Sequence, residues 1–162
     1  MRLYIIRHAW AEEPGDRRWP TDSERPLTAD GKKRFKKVVE TLAGRGFAPD
    51  VILTSPYVRT RETSDILREH LKKRPEVIEH VGLACGSNLA DLVEWTNERK
   101  EDEIAWVGHM PDVALMTAAL IGDKHTLVDF GKGCVAAIDF EEPIAGGNGV
   151  LRWFVSPKLL GC

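Results

Sequence analysis

Two histidines and two arginines in this 162-residue chain stand where side chains can do chemistry. Arg7 and His8 follow directly on the apolar run Leu3-Tyr4-Ile5-Ile6. That puts a cation and a nucleophile at the carboxyl end of an expected strand, the end at which open α/β sheets hold their ligands. Far along the chain the pattern recurs, with Gly108-His109 behind Ile104-Ala105-Trp106-Val107 and just ahead of Met110-Pro111. Arg59 lies shortly after Ser55, and its spacing to Thr63, Ile66 and Leu67 puts it on the helical face expected to turn toward the sheet. A guanidinium on such a face needs an anion, because an uncompensated buried charge is costly. Arg7 and Arg59 are thus placed to grip a phosphoryl group bidentately, and the N-termini of the helices after Ser55 and Met110 add positive dipole ends. Neutral imidazole is a competent nucleophile near pH 7, and splitting a hydrolysis into two displacements makes each step easier.

The elements that must position these residues read as alternating strands and helices. Leu3–Ile6 predicts a first strand; Leu27-Thr28 starts a helix in which Phe35, Val38, Val39 and Leu42 recur at helical spacing, with Gly44 and Gly46 marking the stop. Val51–Leu53 is a short continuous strand. Ser55-Pro56 is expected to cap the next helix, Ser55 serving as N-cap, and that helix runs to Pro75. Val77-Ile78 is a weak strand, Leu89–Arg99 a helix, Ile104–Val107 a buried strand, and Pro111–Ile121 a helix apolar nearly all round. Val135–Phe140 and Leu151–Val155 close the series around a Gly-rich turn. Such alternation predicts an α/β/α three-layer sandwich on a mainly parallel central sheet.

Length and charge narrow the function. A chain of this size makes one domain, residues 1–162, able to bury most of its apolar surface. A net charge of −2 and a pI of about 6.2 offer no global positive field for nucleic acid or an anionic membrane. The longest helix-compatible apolar run, Val113 to Ile121, is far short of the roughly 20 residues that span a bilayer, and Met1-Arg2-Leu3 opens no secretory pattern. The expectation is a cytoplasmic monomer. Cys85, Cys134 and Cys162 are odd in number and widely spaced, which suggests free thiols and no metal or redox pair.

Several local patterns dissolve on inspection. Lys32-Lys33-Arg34-Phe35-Lys36-Lys37 looks like a nucleic-acid patch, yet Phe35 belongs to the core stripe and the rest to a solvated helix face. Gly131-Lys132-Gly133-Cys134-Val135-Ala136 matches a dinucleotide fingerprint but precedes a strand instead of following one. Cys85 has Asp91 six positions on, where a cysteine-phosphatase loop needs arginine. There is no phosphate-binding loop of the Walker type, no nucleophile elbow and no zinc-protease helix motif. His70, His80 and His125 lie outside every motif.

Taken in order, Arg7-His8, Arg25-Pro26-Leu27-Thr28, Ser55-Pro56-Tyr57-Val58-Arg59 with Thr63, and Gly108-His109 resemble the histidine phosphatase superfamily, specifically its small SixA-like phosphohistidine phosphatase branch. The resemblance covers residues 2 to 121. It implies a phosphoglycerate mutase-like fold and a covalent mechanism without metal or other cofactor. His8 would attack phosphorus, Arg7, Arg59 and His109 would stabilise the equatorial oxygens, and water would hydrolyse the phosphohistidine enzyme. Arg25 is open between a substrate or phosphate contact and a hydrogen-bond donor holding the loop. Ala9 replaces the glycine that many superfamily members carry after the nucleophile, as it does in other SixA-like proteins.

Members of that superfamily that cleave esters carry an acid on a mid-chain insertion, because an alkoxide must be protonated as it leaves. Here Val81-Gly82-Leu83-Ala84-Cys85-Gly86-Ser87-Asn88 contains no carboxylate. Imidazole, with a reference pKa of about 6.5, needs far less help. A phosphohistidine-containing protein or peptide is therefore the favoured substrate. Glu12, Glu13, Asp16 and Asp22, in the loop after His8, remain candidates for an acid. The alternatives are a small-molecule phosphomonoesterase using the same pocket and a phosphate-binding module without turnover; a mutase would need covering insertions for which this chain has no room.

Overall fold

The computed structural model describes residues 1–123 and 125–162. Its elements follow the expected alternation: β1 (Arg2–Arg7), α1 (Ala29–Ala43), β2 (Val51–Thr54), α2 (Val58–His70), β3 (Glu76–Glu79), α3 (Leu89–Asn97), β4 (Glu103–Gly108), α4 (Asp112–Ile121), β5 (Val135–Asp139) and β6 (Val150–Val155). The strands form one sheet in the order β3-β2-β4-β1-β5-β6. The first four run parallel, while β5 pairs antiparallel with β1 and β6 antiparallel with β5. Three short 3-10 turns, at Asp22–Glu24, Val81–Leu83 and Pro157–Leu160, carry too little apolar periodicity to be read from sequence.

Because successive strand residues point to opposite faces, the central strands divide their apolar side chains between two cores. Tyr4, Ile6, Ile52, Ala105 and Val107 pack with Phe35, Val38 and Val39 of α1 and Ile66 and Leu67 of α2. Leu3, Ile5, Leu53, Ile104 and Trp106 pack with Leu92 of α3 and Val113, Met116 and Leu120 of α4. Helices on both faces make the three-layer α/β/α sandwich expected of the sequence. Trp106 is fully buried, and its indole N–H donates to Thr96 Oγ1 at 3.2 Å, which ties α3 to β4.

The sheet register places the site. Arg7 stands beside Gly108 on β4, and Thr54 of β2 beside Val107. The chain then leaves all three strands at one level: the His8 backbone N–H donates to the Gly108 carbonyl at 3.1 Å, and that of Ser55 to the Val107 carbonyl at 3.1 Å. His8, His109 and Ser55 thus emerge at adjacent parallel strand ends.

Backbone hydrogen bonds tie the segment after His8 to the start of α1: the Glu12 N–H donates to the Pro26 carbonyl and the Thr28 N–H to the Trp10 carbonyl, both at 2.9 Å. Ala11 bridges to Leu27 in an isolated antiparallel pair, so residues 12–26 form a closed excursion. Thr28 caps α1, its hydroxyl accepting from the Gly31 N–H at 2.9 Å, a contact whose loss to alanine typically costs about 1 kcal/mol. A Cβ on Gly31 would lie 2.3 Å from the Trp10 carbonyl oxygen, so only glycine lets α1 start this close to the chain leaving His8.

Candidate active site

His8 is 6% exposed and its Nδ1 lies 2.7 Å from the Ala9 carbonyl. A carbonyl can only accept, so Nδ1 carries the ring proton and Nε2 is left with its lone pair, the tautomer being set by the hydrogen bond at the other nitrogen. Arg59 Nε donates to that Nε2 at 3.3 Å. Burial pulls the imidazole down to about 3, with Arg59, His109 and Arg7 adding to the effect, against the pull of the Ala9 carbonyl in the other direction. A neutral, oriented imidazole with an unprotonated Nε2 is the nucleophile that a double displacement requires.

Arg59, 3% exposed, occupies the first turn of α2 as its spacing predicts. Besides Nε to His8, Nη1 donates to the Asp22 backbone oxygen at 2.7 Å and Nη2 to the Asp22 carboxylate at 2.9 Å; Cys85 Sγ lies 3.9 Å from Nη2. Tyr57 presents its ring 5.0 Å from the guanidinium carbon. Thr63, one helical turn on, donates to the Arg59 carbonyl at 2.7 Å and accepts from the Ala9 N–H at 3.1 Å. One hydroxyl therefore links the backbone of the nucleophile's segment to that of the arginine.

Arg7, the last residue of β1, donates through Nη1 to the Phe130 carbonyl at 2.8 Å, while its Nε is buried without a partner among the described residues. His109 is 1% exposed, its ring centre 5.4 Å from that of His8 and 4.8 Å from that of Tyr57. Burial, reinforced by the positive charge of Arg59, lowers it too to about 3. Its Nε2 meets Ser55 Oγ at 2.9 Å, and its Nδ1 has no partner among the described residues. The four residues singled out in the sequence thus converge on one spot, and among the described residues two of them, Arg7 through Nε and His109 through Nδ1, offer a buried polar atom with nothing to bond.

Two expectations need correction. Ser55 is not the N-cap of α2: the helix begins at Val58 behind Tyr57, which provides no side-chain cap. The Ser55 hydroxyl instead accepts the Tyr57 N–H at 3.3 Å, closing a short turn after β2, and turns toward His109. Pro111 likewise precedes α4, whose first residue is Asp112; the Asp112 carboxylate accepts from the Gly86 N–H at 2.9 Å and so fixes the loop that carries Cys85.

Arg25 reaches the site through Asp22. It donates to the Glu12 carbonyl at 2.6 Å and pairs with the Asp22 carboxylate at 2.7 Å. Burial pushes the Asp22 carboxyl up, but Arg25 and Arg59 together outweigh it and hold the group below its ordinary value. Of the four loop carboxylates, Asp22 is hydrogen-bonded to the cluster; Asp16 is half-buried and paired with Arg18. Sequence reading missed the partnership of Asp22 with Arg59, the tie made by Thr63 and the bond from Ser55 to His109. All three join residues from different elements. Thr63 and Ser55 stood in the motifs that identified the site, which was the one signal available.

Among the described residues no three His, Cys, Asp or Glu side chains are clustered to hold a metal, and no helix is long and apolar enough to cross a membrane. A separate groove of about 340 Å³ lies near the start of β1, between Tyr4, Phe47 and Trp153, and its lining contains neither histidine nor cysteine.

Residues 3–117 match the family model of the histidine phosphatase superfamily, branch 1. An uncharacterized protein of Picosynechococcus sp. is 34% identical over 124 residues, covering 74% of this chain and 73% of that one. The phosphohistidine phosphatase SixA of Escherichia coli K12 is 27% identical over 162 residues, covering 97% of this chain and 94% of its own. The solved structure of the protein histidine phosphatase SixA complexed with tungstate superposes with a TM-score of 0.86 at 23% identity, over 99% of each chain, a likeness of fold.

Proposed function

This chain belongs to the histidine phosphatase superfamily, in its SixA-like branch, and on that premise we propose that it hydrolyses phosphohistidine in a protein or peptide through a phosphoryl group carried transiently on His8. The observation that carries the reading is the His8 imidazole itself, proton held on Nδ1 by Ala9 and lone pair on Nε2. In the first step His8 Nε2 forms a bond to phosphorus as the bond to the substrate imidazole breaks. That imidazole, protonated from solvent, departs neutral. Water then attacks the same phosphorus, releasing inorganic phosphate and restoring His8. Arg7, Arg59 and His109 hold the three phosphoryl oxygens, a task in which alignment and donors placed on the developing charge supply most of the rate. No metal or organic cofactor takes part in this scheme.

Phosphohistidine is favoured over an ester because its leaving group needs little proton assistance. Residues 81–88 contain no carboxylate, and Asp22 is held ionised between two guanidiniums, so it has no proton to give. Arg25 supports the pocket by holding Asp22 and the Glu12 carbonyl. The second reading, a small-molecule phosphomonoesterase, rests on Asp22 being within the cluster, where loss of one arginine contact would free it to take up a proton.

A side-by-side assay on a phosphohistidine peptide, phosphoramidate and a panel of aryl and alkyl phosphomonoesters separates the readings. Rates should fall steeply from phosphohistidine and aryl phosphates toward alkyl phosphates, each 1.4 kcal/mol of unassisted barrier being about tenfold. Sugar phosphates turned over faster than phosphohistidine would put the ester reading first. Anion binding with no turnover of any substrate would leave a binding module.

A further inference from the structure

His109 is held by one side-chain hydrogen bond, and the direction of that bond decides which nitrogen meets the substrate with a proton. Ser55 Oγ lies 2.9 Å from His109 Nε2 and 3.3 Å from the Tyr57 backbone nitrogen. The Tyr57 N–H can only donate, so one lone pair of the hydroxyl is taken. Among the described residues, the hydroxyl has no other hydrogen-bonded partner to receive its proton, and Ser55 is 0% exposed, so water does not reach it. Suppose His109 carried its proton on Nε2. Ser55 would then accept twice, its own proton would be buried without an acceptor, and Nδ1 would be left as a buried lone pair with no donor among the described residues. With the proton on Nδ1 both conflicts vanish: Ser55 donates to Nε2, and the one unmatched group left is an N–H in a ring that neighbours His8.

We infer that Ser55 is a positioning residue whose hydroxyl donates to His109 Nε2 and so keeps the ring proton on Nδ1 as the donor for a phosphoryl oxygen. This rests on the reading of the cluster as a phosphoryl site. His109 then acts as a neutral dipolar donor, and the charge on the substrate is met by the two arginines. Serine suits the task because its hydroxyl can accept from the turn and donate to the ring at once, whereas alanine would leave Nε2 and the Tyr57 N–H both bare.

The test is the tautomer itself, read from the nitrogen chemical shifts of His109 in ¹⁵N-labelled protein at about pH 7, where the ring stays neutral. The wild type should show Nδ1 protonated and Nε2 bare. In Ser55→Ala the population should move toward Nε2–H, affinity for vanadate should drop, and kcat/KM should fall on the order of tenfold to hundredfold, short of losing the donor altogether. Ser55→Thr, which keeps the hydroxyl, should restore the tautomer and most of the activity. A wild-type spectrum with Nε2 protonated overturns the inference even if Ser55→Ala does not fold; so does a folded Ser55→Ala protein with unaltered tautomer and unaltered vanadate affinity. If the parent bound vanadate yet released phosphate from no substrate, the phosphatase reading would fall while the spectra and affinities still decided the role of Ser55.

Discussion

The Asp22 carboxylate lies 2.9 Å from Nη2 of Arg59 while the Asp22 backbone oxygen accepts from Nη1 at 2.7 Å. One loop residue thus covers the outer edge of a guanidinium that is itself almost wholly buried. Asp22 is half exposed, with a side chain 52% accessible, so the pair is formed between a buried cation and a carboxylate that water can solvate if it gives up Arg59. A phosphoryl oxygen seeks the same N–H groups, since planar bidentate recognition is what a guanidinium does best. Substrate and Asp22 are therefore competitors for Arg59.

Asp22→Asn should weaken that competition. Phosphate and vanadate should inhibit the variant at several-fold lower concentration than the parent, and phosphohistidine turnover should stay within a few fold. Glu12→Gln, Glu13→Gln and Asp16→Asn should likewise change little. A loss of about 100-fold or more in any of these, the range of a positioned acid or base, would identify a general acid in the loop and move the ester reading ahead.

Brief exposure to labelled substrate should leave acid-labile, alkali-stable phosphate on His8, and His8→Ala should abolish both the label and turnover. Arg7→Ala or Arg59→Ala should each cost roughly 2–4 kcal/mol of transition-state stabilisation, the scale of losing one oxyanion donor. Activity should survive exhaustive chelation. Label retained in His8→Ala, or activity that a divalent ion restores after chelation, would refute the scheme.

Thr63 is buried and links the Ala9 N–H to the Arg59 carbonyl. Thr63→Val keeps the shape but deprives both backbone groups of this partner, so it should cost about 1–3 kcal/mol of stability, on the scale of an orphaned buried polar group. It should also lower kcat/KM, because the segment carrying His8 loses its tether to α2. Thr63→Ser should retain most of both. Chemical denaturation and steady-state kinetics on the two variants decide the point; equal behaviour of Val and Ser would mean the hydroxyl is idle.

Both His8 and His109 are held neutral in the fold, at about 3, whereas an unfolded chain protonates imidazole near 6.5. Below about pH 6.5 the unfolded chain binds protons that the folded one refuses, so stability should fall as the pH drops from there toward about 3. The slope should be up to about 1.4 kcal/mol per pH unit for each histidine. Urea midpoints taken from about pH 7.5 down to about pH 4.5 should show this, and His109→Asn should flatten part of it. A wild type and a His109→Asn variant with parallel profiles would contradict the burial argument.

The sequence by itself determined the order of elements, the mainly parallel sheet and the strand ends and helix turn at which the four candidate residues stand. Each of these is a local property. Apolar runs and periodicities mark strands and helices within a few residues, and a nucleophile or cation directly behind a strand is placed by that strand alone. Leu3–Ile6 carried His8, and Ile104–Val107 carried His109, whatever the rest of the chain did. Charge complementarity also required an anion for Arg59, without saying which. Tertiary structure decided that Asp22 provides it, that Thr63 joins the segment of His8 to that of Arg59, and that Ser55 serves His109 and not the helix that follows it. The physical reason is that a hydroxyl or carboxylate has several admissible partners along its own chain, an N-cap being one. Which of them it takes depends on what the sheet register brings within 3 Å or so, the reach of a hydrogen bond. For Ser55 the register of β2 against β4 put a histidine there.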